Sequence, residues 1–132
     1  MQNTRNNLSK NGFVKRLQSF GFAFRGLLFL VKSEPNAQIH LVATICAIVL
    51  GFVFSISLIE WCLILFAIGL VIAAEAFNTV IEKLADHLFP EYHETAKITK
   101  DVAAGAVLIC AIAALIVGII IFLPKVIIFI GY

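Results

Sequence analysis

Charge is what this sequence has least of. Only 14% of its 132 residues are Asp, Glu, Lys or Arg, where a soluble domain carries about 25%. So few charges cannot cover a soluble fold of this length. The opposite extreme is excluded too, because a disordered chain is polar and poor in aromatics, whereas this one is 61% hydrophobic with a mean hydropathy of +1.03. There are three cysteines, Cys46, Cys62 and Cys110, each inside an apolar run and none in a CxxC pair. An odd count without that spacing argues against a disulfide framework or a zinc site, and the three read as small packing residues. The eight glycines form neither GxxxxGK[ST] nor GxGxxG, so no P-loop or dinucleotide fingerprint is present. A net charge of +2 is too small to point to nucleic acid.

What the chain does have is long apolar runs. Residues 41–59 carry no charged side chain until Glu60, residues 61–74 are again uncharged, and residues 102–123 form a third such run. A membrane-spanning helix needs about 20 apolar residues. The expected architecture is therefore one all-α integral membrane domain covering residues 1–132. It has transmembrane helices at about 37–56, at 59–80 extending to 88, and at 102–123. The first apolar run starts near position 40 and lacks a short hydrophobic region with a small-residue cleavage site, so no signal peptide is expected. No internal repeat or low-complexity segment is visible.

Ahead of the first run, Phe13, Leu17, Phe20, Phe24, Leu27, Leu28 and Val31 recur every three or four residues, with Lys15, Arg16, Gln18, Arg25 and Lys32 largely on the other side. That pattern predicts a basic amphipathic helix over 12–33, lying in the membrane interface. Ser33 is a candidate cap and Pro35 suits a first helical turn. Pro90 is expected to stop the second span and Pro124 the third. Cations concentrate in the N-terminal segment, with Lys83, Lys97 and Lys100 between spans two and three, while residues 54–60 have no Lys or Arg. The positive-inside rule then puts the N-terminus and the 83–101 region in the cytoplasm and the C-terminus outside, with Lys125 a single vote against.

Chemistry is concentrated on the second span. Glu75, Asn78, Thr79, Glu82 and Asp86 stand at helical angles of about 0°, −60°, +40°, −20° and +20°, on one face over a rise of roughly 16 Å. A helix end emerging into water accounts for Asp86, and Lys83 on a neighbouring face reads as solvated. It does not account for Glu75 and Asn78, which follow directly on apolar residues. A carboxylate at or just inside the hydrocarbon boundary costs a few kcal/mol and normally faces protein or water in a functional site. Clustered carboxylates can hold Mg²⁺ together with substrate phosphates, and a partly desolvated one can act as a general base. With Lys15, Arg16, Lys97 and Lys100 available to phosphates, these are parts for phosphoryl transfer. From the residues alone, a membrane enzyme and a non-catalytic ion-binding protein or small transporter subunit both remain open.

The stretch from Glu75 through Asn78 and Glu82 to Asp86, then Glu91-Tyr92-His93, then Lys100-Asp101, resembles the bacterial integral-membrane diacylglycerol kinase family, which includes the undecaprenol kinases. The likeness runs from about Phe13 through the third span. It implies a homotrimer of three-span subunits in the bacterial cytoplasmic membrane, using Mg-ATP to phosphorylate the primary hydroxyl of a lipid. Diacylglycerol would give phosphatidic acid, and undecaprenol is the alternative. By the same resemblance Glu75 accepts the hydroxyl proton and Glu34 and Glu82 hold the metal. Lys15 or Arg16, Phe22, Asn78, Asp86, Glu91, Tyr92, His93, Lys100 and Asp101 belong to the nucleotide site, with Ala104 near the lipid. Phe22 and Ala104 depart from the enterobacterial enzymes, which carry Tyr and Ser there. The Lys100-Asp101-Val-Ala-Ala-Gly-Ala run looks more like the undecaprenol kinase branch.

Overall fold

The computed structural model describes the backbone of residues 2–131 and the side chains of residues 14–131. The expected place of Phe13 in the apolar stripe lies outside the described side chains. The order of elements is α1 (Gln2–Ser33), α2 (Pro35–Val53), α3 (Leu58–Leu88) and α4 (Glu94–Ile130), with no strand among the described residues. α2, α3 and α4 are each long and apolar enough to cross a membrane. The all-α, three-span reading of the sequence holds.

Two local expectations are corrected. Glu34, not Ser33, stands at the N-cap of α2, in extended backbone and without a side-chain cap bond, while Pro35 occupies the first turn. Ser33 is the last residue of α1, because the backbone of Glu34 still donates to Leu30 O. Nor does Pro124 close the last helix: α4 runs through it to Ile130 and ends at Gly131, which has a left-handed φ of 93°. A proline inside a membrane helix is tolerated when neighbouring groups hold the turn. Here Lys125 pairs with Glu60 at 3.0 Å and Phe129 meets Phe54 edge-on at 6.1 Å. The apolar stripe expected on α1 for the membrane interface is largely uncovered by the rest of the chain, and α1 buries Leu30, which the spacing omitted.

The α2–α3 connection is tightly specified. Ser57 accepts from the Glu60 backbone and Glu60 accepts from the Ser57 N–H at 2.7 Å, a capping box that starts α3. Gly51 lets the Trp61 ring approach so closely that an added Cβ would lie 2.6 Å from it. Ile56, Ile64, Ile121 and Phe122 form an apolar cluster at this same end, with Phe54, Trp61 and Val117 packed on it. α4 packs mainly along α3. At the opposite end the chain turns back at Glu34, and the last turns of α1 close over the polar half of α3.

Candidate functional site

Successive turns of α3 carry the site. Glu75, Asn78 and Thr79 are buried at 3%, 4% and 5% exposure although all three are polar. Asn78 Nδ2 donates to Glu82 Oε1 at 2.9 Å, the i,i+4 contact that a helix provides. One oxygen of each buried residue, Glu75 Oε2, Asn78 Oδ1 and Thr79 Oγ1, has no hydrogen-bond partner. Buried polar atoms are nearly always satisfied, so three orphans within two turns mark a place prepared for something else.

Around this stripe the neighbouring helices bring charge. Glu34, at the α1–α2 break, pairs with Lys83 at 3.0 Å, and the Lys83 ammonium also lies 5.1 Å from the centre of the Phe29 ring. Lys83 is therefore not a solvated bystander but the link between α1, α2 and α3. The sequence did contain the signal, a cation immediately after Glu82, but nothing in the spacing of α3 showed that Glu34 would face it. Lys100, in the second turn of α4, pairs with Asp86 at 2.8 Å. Since Lys83 stands level with the start of α2, Glu75 lies about 12 Å farther up α3 at 1.5 Å per residue.

Glu75 opens on a cavity of about 160 Å³ whose walls are Leu27, Leu30, Val31, Ala37, Leu41 and Ile72, with His40 its other polar neighbour. His40 thus lines the same cavity as Glu75. Glu34 and Glu82 suit a divalent cation in the way Mg²⁺ is usually held, by one or two carboxylates with waters and phosphates completing the shell. Glu34 is mostly covered, Glu82 half-buried, and Glu34 contacts the residue next to Glu82. Among the described residues no three His, Cys, Asp or Glu side chains converge into a protein-only metal cage.

The remaining expected residues are more dispersed. Glu91, Tyr92 and His93 form the α3–α4 turn and are exposed, with the His93 ring stacked on Phe89 at 4.4 Å. Asp101 and Ala104 are exposed on the first turns of α4. Lys15 and Phe22 lie on the uncovered part of α1, with Arg25 over the Phe22 ring at 4.8 Å, and no described hydrogen bond or ion pair links either to the carboxylates. Within one chain, then, Glu34, Glu75, Asn78, Glu82, Asp86 and Lys100 gather around α3, whereas Lys15 and Phe22 do not join them.

Comparison with known proteins identifies the family. The model of the family described as prokaryotic diacylglycerol kinase matches residues 21–122. An undecaprenol kinase from Bacillus subtilis is 38% identical over 116 residues, covering 88% of this chain and 94% of that protein. A diacylglycerol kinase from Synechocystis is 37% identical over 109 residues, 82% of this chain and 62% of its own length. The Escherichia coli diacylglycerol kinase is 30% identical over 105 residues, 80% of this chain and 86% of its own. These matches set aside the non-catalytic ion-binding or transporter reading. The chain is a multi-pass membrane protein and belongs to the prokaryotic diacylglycerol kinase family of lipid kinases.

Proposed function

We propose that this chain transfers the γ-phosphate of Mg-ATP to the primary hydroxyl of a membrane lipid, at the cytoplasmic face of the bacterial inner membrane. The observation that carries the reading is Glu75 Oε2: buried, unpartnered, and at the edge of an apolar cavity. A lipid whose chain follows those apolar walls brings its hydroxyl to that oxygen. Glu75 takes the proton, the lipid oxygen attacks the γ-phosphorus, and ADP leaves. Asn78, through its bond to Glu82, fixes the metal-side carboxylate relative to Glu75. Glu34 and Glu82 hold Mg²⁺, which when bound neutralises charge on the phosphates. Lys100 and Asp86, with Asp101 and the 91–93 turn, face the nucleotide, and Lys15 and Phe22 on α1 extend that side.

The N-terminus is inside and the C-terminus outside. The Lys and Arg excess in the N-terminal segment and the 83–101 region supports this orientation over the single opposing cation, Lys125, which pairs with Glu60 at 3.0 Å. The assembly is a homotrimer, a reading supported by the family resemblance alone.

The substrate is diacylglycerol, giving phosphatidic acid, and undecaprenol is a second substrate favoured by the lining of the Glu75 cavity. Diacylglycerol brings two ester carbonyls that want donors, and apart from His40 the cavity wall offers none. A site without such donors rejects neither lipid strongly. The test is kcat/KM for the two lipids side by side in the same mixed micelles. Phosphorylation of both is expected, and background turnover of either contradicts the dual specificity.

A further inference from the structure

The Lys83–Glu34 pair places a cation on a carboxylate that the proposed function needs for the metal. Lys83 is half-exposed on a long flexible stem, Glu34 is mostly covered, and their 3.0 Å contact is reinforced by the Phe29 ring beneath the ammonium. A lysine ammonium and a divalent cation on the same carboxylate repel each other. One must leave, and the flexible point charge is the one that can. We propose that Lys83 is a displaceable counter-ion of Glu34: when a divalent cation takes that carboxylate, the ammonium is released and turns to the phosphates of the nucleotide.

Three features favour this over a fixed strut. Lys83 stands at the same level of α3 as Glu82, so a released ammonium starts at the end of the helix where the metal-side carboxylates lie. The other cation paired at this end of α3, Lys100, is engaged by Asp86 at 2.8 Å, and phosphoryl transfer needs positive charge at the phosphates. The Phe29 contact also ties the same side chain to α1, so release of Lys83 loosens the helix that closes the Glu75 cavity.

The inference rests on the assignment of Glu34 to the metal, and the experiment separates the two. Binding of Mn²⁺ alone, followed by its electron paramagnetic resonance signal, and binding of Mg-ATP, followed by calorimetry, are measured on the detergent-solubilised full chain. In Lys83→Met, Mn²⁺ alone should bind more tightly, by up to about fivefold, because a competing ion pair of this exposure is gone. Mg-ATP should bind about tenfold more weakly, because a charge-assisted contact to phosphate is lost. Lys83→Arg should restore Mg-ATP binding. Opposite signs for the two ligands are what a purely structural lysine does not give. Equal weakening of both, or no change in either, overturns the exchange. If Glu34→Gln leaves Mn²⁺ binding unchanged, the metal assignment fails instead.

Discussion

The two ends of α3 treat their carboxylates in opposite ways. At the hairpin end Glu60 is fully engaged: it accepts from the Ser57 N–H at 2.7 Å and from Lys125 at 3.0 Å, beside a packed apolar cluster. At the other end Glu75 is more deeply buried yet keeps a bare oxygen, with Asn78 and Thr79 likewise unsatisfied. A polar group that a fold needs for stability is given partners. One buried without them is a cost that persists where function requires it. The hairpin end holds the bundle together, and the 75–86 end is where the proposed chemistry lies.

The largest effect that could break this comparison is on Glu75. Glu75→Gln should lower kcat by about 10²–10⁴-fold, the range for loss of a general base, while Mg-ATP still binds. Rapid-quench transfer assays together with nucleotide calorimetry would show whether the two separate. Next come the metal-side carboxylates. Glu82→Gln and Glu34→Gln should weaken nucleotide binding by about ten- to a hundredfold at low Mg²⁺, with partial recovery as Mg²⁺ is raised. A Mg²⁺-independent loss would move those residues out of the metal role.

The hairpin end should respond in stability instead. Gly51→Ala forces a methyl into the Trp61 ring and should cost about 1–3 kcal/mol as an overpacked contact, seen as a lower thermal midpoint with turnover per folded molecule unchanged. Smaller again, Glu60→Gln should lower the midpoint by only a few degrees. In a double-mutant cycle with Lys125→Met the two losses should not add.

Sequence made one end of this molecule far more legible than the other. The three spans followed from uncharged runs, and the stripe of Glu75, Asn78, Thr79, Glu82 and Asp86 followed from helical angle alone, because both depend on neighbours along one chain segment. What remained hidden depends on helices meeting. Lys83 looked solvated because its partner Glu34 is on another element, and Lys125 looked like a misplaced cation because Glu60 is too. Pro124 read as a stop because the contacts that carry α4 past it, Lys125 to Glu60 and Phe129 to Phe54, are tertiary. The assignment of Glu34 and Glu82 to one metal came through family resemblance, not through any spacing.

The most direct test compares Glu75→Gln and Glu60→Gln, purified in the same detergent, by thermal midpoint and by kcat with Mg-ATP and lipid. The account predicts that Glu75→Gln loses turnover by orders of magnitude and is at least as stable as the unmodified chain, whereas Glu60→Gln melts lower and turns over normally. Near-normal turnover in Glu75→Gln would contradict it.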